Sequence, residues 1–194
     1  MALFALWGSS ARRDLSREGR KPQRPPSGAA LGGGFGRFVG ALASHRGITY
    51  NTDVVALRVV LDTNVLVAAL RSRRGASFRA ISEIGRRRFD FVLSVPLVLE
   101  YEQAFMKARP PGVSQMDTQA FLNYLSLEGR LQEVFYLWRP HLHDPKDDMV
   151  LEAAVAGKCE AIITHNRRHF EGAASFGITV LSPAEFLVRL GVLS

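Results

Sequence analysis

One cysteine among 194 residues, Cys159, rules out an intrachain disulfide. A fold stapled by bridges is therefore excluded, and a reducing compartment, the cytoplasm, is the expected location. Long apolar runs are missing too: no segment approaches the ~20 residues a membrane span requires. The opening Met1–Ser10 is apolar but short, with no positive residue ahead of it, and does not have the form of a signal peptide. Acidic residues are in deficit, 18 against 25 Lys and Arg, for a formal charge of +7. That excess is unevenly placed. Residues 1–57 carry eight Lys or Arg against Asp14, Glu18 and Asp53, a net +5, which leaves +2 for the rest. High basicity is thus mostly a property of the N-terminal segment and does not argue for a nucleic-acid-binding face on the remainder. There is no internal repeat.

Residues 1–57 differ in texture from the rest of the chain. They hold nine of the 17 glycines, with Arg12-Arg13, Lys21-Pro22-Gln23-Arg24-Pro25-Pro26 and Gly32-Gly33-Gly34, and glycine interrupts every apolar period. Such a segment buries too little apolar surface to offset its ordering entropy. We expect a disordered tail there, with two alternatives. One is a basic arm on RNA phosphates. The other is a mis-assigned start, the native chain beginning at Val54 or Val55; an intact mass that begins at Met1 would exclude it.

From Arg58 the pattern is regular. Val59-Val60-Leu61, Phe89–Leu93, Leu131–Leu137, Ala161-Ile162-Ile163 and Ile178–Leu181 are short apolar runs that predict five strands. Helices are predicted over Val65–Leu70, Ser77–Arg87, the segment after Ser94, Ser114 or Asp117 through Leu127, Met149–Ala156 and Ala184–Leu190. In the helix ending at Leu127, Phe121 and Leu125 serve either the core or a homodimer contact. Strands alternating with helices predict one α/β domain over 58–194, a mostly parallel sheet of about five strands covered on both faces.

In open α/β sheets a ligand meets the carboxyl ends of the strands. Asp62-Thr63-Asn64 follows the first predicted strand and Thr164-His165-Asn166 the fourth. Asp144, Asp147 and Asp148 precede the helix that feeds the fourth strand, and Glu100 lies on the helix after the second. Carboxylates converging on one edge repel each other and are costly to bury. A hard divalent cation with all-oxygen ligands, Mg²⁺ or Mn²⁺, relieves that and can activate water against a phosphodiester. Each acid also has an ordinary reading: Asp62 as a helix cap, Glu100 as a solvated helix residue, and Asp144, Asp147 and Asp148 as acids suited to a helix N-terminus. His141 and His143 suggest a metal pair but lack a third partner nearby.

The segment Val59–Leu66 (VVLDTNVL) resembles the opening motif of PIN domains. Leu97–Tyr101 (LVLEY) resembles their second acidic motif, Asp144–Ala154 (DPKDDMVLEAA) the third and Ala161–Asn166 (AIITHN) the fourth. The resemblance spans nearly all of 58–190, with the motifs in order, and is closest to the bacterial PIN toxins of toxin–antitoxin pairs. It implies a three-layer α/β/α sandwich and a Mg²⁺- or Mn²⁺-dependent endoribonuclease, with RNA as substrate and an antitoxin as partner. By position it implies Asp62 and Glu100 as metal-binding catalytic acids. The third is Asp147, with Asp148 the alternative one residue on; Asn64, Thr164, Asn166 and Asp144 support them. Where the family often has a fourth acid this chain has Asn166, which cannot neutralise a second cation. One tightly held metal is therefore expected, and the alternative is an RNA-binding module without catalysis. Arg71, Arg73, Arg74 and the run Arg86-Arg87-Arg88 are the densest basic groups of the domain, suited to phosphates or to a solvated surface. A third class, an aspartate-nucleophile phosphatase of the haloacid dehalogenase type, needs a second aspartate two residues after Asp62, where Asn64 stands.

Overall fold

The computed structural model describes residues 57–109, 111–135, 139 and 141–193. The expected disordered or mis-assigned extension, 1–57, lies outside the described residues except for Leu57, which opens the first strand.

Five strands form one all-parallel sheet: β1 (Leu57–Leu61), β2 (Phe89–Leu93), β3 (Arg130–Leu131), β4 (Ala161–Ile163) and β5 (Thr179–Leu181). Their spatial order is β3-β2-β1-β4-β5. Helices α1 (Thr63–Arg71) and α2 (Ala76–Ser82) link β1 to β2, and α3 (Val95–Ala108) and α4 (Gln115–Glu128) link β2 to β3. Helix α5 (Pro145–Ala156) leads to β4, a 3-10 helix (Arg167–Phe176) to β5, and α6 (Pro183–Arg189) comes last. The result is the expected α/β/α sandwich.

The central strands are apolar because both faces are covered. Val59, Val60, Leu61 and all of β4 are buried, and each of the Val, Leu and Ile side chains is worth about 1.5–3 kcal/mol. Phe105 stacks on Phe121 at 5.6 Å. Phe121 and Leu125 are each 1% exposed, so the face of α4 considered for a dimer is core.

Chain reversal starts from side-chain caps: Asp62 for α1, Ser94 for α3, Ser114 with Asp117 for α4, Asp144 for α5 and Ser182 with Glu185 for α6. Two expectations change. The helix expected to reach Arg87 stops at Ser82, because Gly85 takes φ +80° and Arg87 φ 57°. The turn is fixed by Tyr124, whose hydroxyl donates to the Ile84 carbonyl at 2.8 Å; a Cβ on Gly85 would stand 2.9 Å from that hydroxyl. The third strand, expected over Leu131–Leu137, pairs only at Arg130–Leu131 before Gln132 N–H closes on the Leu93 carbonyl; residues 136–138 lie outside the described set.

The strand order sets the place of a site. From β1 the chain runs outward through β2 and β3, then returns to build β4 and β5 on the other side. The connections therefore diverge at the carboxyl ends of β1 and β4, the crevice where open parallel sheets take ligands.

Candidate active site

Asp62 stands at that crevice. Its backbone continues the sheet, Asp62 N–H donating to the Ile163 carbonyl at 2.9 Å. Beneath it, fully buried Tyr101 donates its hydroxyl to the Leu61 carbonyl, tying α3 to the end of β1. The carboxylate is 6% exposed. One oxygen, Oδ2, accepts from Asn64 Nδ2 at 2.6 Å and from the Thr164 hydroxyl at 2.6 Å. The other, Oδ1, accepts the long capping bond from Asn64 N–H, 3.3 Å, and the Thr63 N–H also acts weakly on the carboxylate. One oxygen is thereby locked and the other is left with most of its acceptor capacity.

The same residues connect β1 to β4. Asn64 Nδ2 also reaches Thr164 Oγ1 at 3.1 Å, and Asn64 Oδ1 accepts the His165 N–H at 3.1 Å. Thr164 Oγ1 accepts Asn166 N–H at 2.9 Å. Asn64 and Thr164 are thus the groups that orient Asp62, while Asn166 enters the network through its backbone and keeps an exposed side chain.

All these donors are neutral. Burial raises the pKa of Asp62 from 3.8 to about 6; the bonds from Thr164 and Asn64 oppose the rise, and the negative charge of Asp147 adds to it. Asp147, on the first turn of α5, is half-buried and is also raised, chiefly by burial, against the opposing pull of His169. His169 Nδ1 lies 2.9 Å from Asp147 Oδ2. The site has therefore gained His169, which comes from the 3-10 helix, a segment no apolar period announced.

Asp148 goes elsewhere. It is 1% exposed and turns to the chain before α5, accepting Leu142 N–H at 2.8 Å and His141 N–H at 3.3 Å. Its oxygens are committed to backbone donors, whereas the adjacent Asp147 is the acid whose charge acts on Asp62. One turn on, buried Glu152 takes both arms of Arg139 at 3.1 and 3.0 Å. Together they strap the segment before α5 onto the helix. Asp144 caps α5 through Lys146 N–H at 2.9 Å and is exposed. His141 packs edge-on against Phe176 at 5.1 Å, a structural contact.

Glu100 is brought to the first turn of α5 but not to Asp62. Its Oε1 lies 4.0 Å from Lys146 Nζ, and its side chain is 20% exposed. Among the described residues no three His, Cys, Asp or Glu side chains are gathered tightly enough to enclose an ion. The structure thus joins Asp62 to Asp147 electrostatically and leaves Glu100 beside Lys146. The donor chemistry nonetheless fits a hard cation: the groups are carboxylates, and the buried one has no cationic partner among the described residues.

The basic runs separate. Arg86 and Arg88 share buried Glu83, at 3.5 and 3.3 Å. Arg71, Arg73 and Arg74 are exposed at the end of α1 and the loop after it, with no carboxylate within 4.0 Å among the described residues.

A family model described as PIN domain matches residues 58–168, more than half of the chain. No curated protein matches it. The chain belongs to the PIN-domain family. PIN domains are nuclease domains that generally depend on divalent metal ions.

Proposed function

We propose, with membership of the PIN-domain family as the premise, that this chain is an endoribonuclease using Mg²⁺ or Mn²⁺ to hydrolyse RNA phosphodiester bonds. The observation that carries the reading is Asp62: a buried carboxylate at the crevice between β1 and β4, held by neutral donors, with its pKa raised to about 6. A purely structural acid so placed would be expected to have a cationic partner.

Asp62 and Asp147 would hold the ion directly, with Glu100 joining directly or through water. Bound there, a divalent cation lowers the pKa of a water and stabilises charge on the phosphate. The protein's own part is orientation. Thr164 and Asn64 fix one oxygen of Asp62 so that the other faces the site. His169 holds Asp147, and Asp144 and the Asp148 strap fix the start of α5 on which Asp147 rides. The test is RNA cleavage in Mn²⁺. Asp62→Asn is expected to abolish it with the fold intact; cleavage at the wild-type rate by variant protein freed of host nuclease rejects the assignment. A crystal soaked in Mn²⁺ checks the ligands.

A second reading, an RNA-binding module without turnover, is favoured by Asn166, whose exposed side chain stands where a fourth acid would add charge. RNA binding together with metal binding and no cleavage would support it. A role as the toxin of a toxin–antitoxin pair, with an antitoxin partner, rests on the family resemblance, and an antitoxin reading frame beside the gene is its test; the homodimer considered for the Phe121 and Leu125 face loses that support, since both side chains are buried. A cytoplasmic location is proposed from the single cysteine, Cys159; among the described residues no helix is long and apolar enough to cross a membrane.

A further inference from the structure

One exposed ring beside the residues that orient Asp62 is held in a fixed position. His165 directly follows Thr164, and its backbone N–H is fixed by Asn64 Oδ1 at 3.1 Å. Its imidazole is exposed, yet Nε2 lies 2.7 Å from the hydroxyl of Ser77, in the first turn of α2. Ser77 is 4% exposed. An exposed loop histidine ordinarily keeps its rotamer freedom; a buried hydroxyl at 2.7 Å removes it. With Nε2 engaged, Nδ1 is the nitrogen left for a group outside the protein. When Ser77 donates to Nε2, or in the imidazolium, Nδ1 carries a proton and is a donor, the form a phosphate oxygen selects; in the other neutral tautomer Nε2–H donates to Ser77 and Nδ1 accepts.

The Ser77 bond does a second thing. Ser77 follows Arg74 by three residues, a span of at most about 11 Å. Through this one bond the loop carrying Arg73 and Arg74 is anchored to the end of β4, next to the residues that orient Asp62. These arginines are exposed and have no carboxylate within ion-pair distance among the described residues, whereas Arg86 and Arg88 are engaged by Glu83. Guanidinium groups with no carboxylate partner among the described residues and an imidazole oriented to offer Nδ1 share one ligand chemistry, phosphate oxygens.

We propose that His165, with Arg73 and Arg74 beside it, forms a subsite for a backbone phosphate of single-stranded RNA next to the bond at Asp62, and that Ser77 is its positioning residue. This rests on the nuclease reading. The contact is to phosphate, so it sets affinity and register and reads no base.

The test uses the full chain carrying Asp62→Asn, so that RNA stays intact, and a fluorescent oligouridylate read by anisotropy over a salt series. On that background His165→Ala, and separately Arg73→Ala with Arg74→Ala, are expected to weaken binding about 3- to 10-fold. Each lost phosphate contact lowers the slope of log affinity against log salt by about 0.7. His165→Gln, which keeps a group for Ser77 and a donor, is expected to recover most of the loss. In the otherwise wild-type enzyme, His165→Ala raises KM more than it lowers kcat. Unchanged affinity and slope in these variants overturn the proposal. So does a loss confined to Arg12→Ala with Arg13→Ala in the N-terminal segment, or an equal loss of polyglutamate binding. Cleavage by the wild type with an unchanged slope removes the subsite and leaves the nuclease. A reduced slope without wild-type cleavage supports the phosphate subsite and removes the nuclease.

Discussion

Replacing Asp62 with Asn is expected to stabilise the metal-free protein at neutral pH. The folded state raises the Asp62 pKa from 3.8 to about 6. A shift of about two units corresponds to roughly 3 kcal/mol of penalty on the ionised form. The sign comes from proton binding: between about pH 4 and 6 the folded protein keeps a proton that the unfolded chain has released. Stability from this group is therefore greatest below pH 4, falls as pH rises to 6, and is level above it. Asparagine carries no charge. Its carbonyl can keep the bonds from Asn64 Nδ2 and Thr164, but its amide turns toward the Asn64 N–H and loses the 3.3 Å cap, at a cost of about 1 kcal/mol. A net gain of about 2 kcal/mol remains, on the order of 5–10 °C in Tm for a domain of this size. Circular-dichroism melts in EDTA at several pH values measure it, and the difference between variant and wild type isolates this group, since other titrating residues are common to both. The variant should be about 1 kcal/mol less stable than wild type below pH 4, where only the lost cap counts, and the difference should reverse sign and be largest above pH 6. A variant no more stable than wild type at pH 7.5, or a difference independent of pH, would refute the reasoning. Adding Mn²⁺ at about 100 times its Kd should raise wild-type stability by about 2.7 kcal/mol and the variant much less.

Other substitutions separate structure from chemistry at the same edge. Asp148→Asn places an amide against the Leu142 and His141 N–H groups and should cost about 2–3 kcal/mol; a melt as high as wild type contradicts the strap. Asp147→Asn, half-buried and outside that strap, should keep Tm within a few degrees while RNA cleavage falls at least ~100-fold, as loss of a group that stabilises transition-state charge would do. Asn166→Asp adds a carboxylate at the end of β4 and should tighten Mn²⁺ binding measured by calorimetry; an unchanged or weaker affinity excludes position 166 from the metal environment.

The sheet was readable because buried parallel strands are short and apolar, and because the polar residues at their carboxyl ends break that pattern: Asp62 after Leu61, Thr164 after Ile163. Spacing alone left two things open. Asp147 and Asp148 are adjacent acids on one helix turn, and which one turns toward Asp62 is decided by the 141–142 backbone, whose N–H groups capture Asp148. Those donors are main-chain groups and leave no residue signature. Likewise the 3-10 helix, with a non-helical Phe170 inside it and Gly172-Ala173-Ala174 along it, has no apolar period to announce it, so the pairing of His169 with Asp147 could not be foreseen. Ser77 lies 88 residues from His165 and meets it only through the crossover of α2.

The distribution of counter-charges then distinguishes the three acids. Lys146 stands beside Glu100, and His169 beside Asp147; the two side chains are 65% and 51% exposed. Asp62, the most buried of the three, has only neutral partners among the described residues. Were the cluster a structural ion-pair network, the cation would be expected at the carboxylate that burial penalises most. It is absent there, and a second acid, Asp147, adds to the penalty. Neutral donors can orient a carboxylate without neutralising it. That leaves the charge of Asp62 available to a ligand from outside the chain, and makes the pH-dependent instability of the metal-free protein the counterpart of its proposed affinity for a divalent ion.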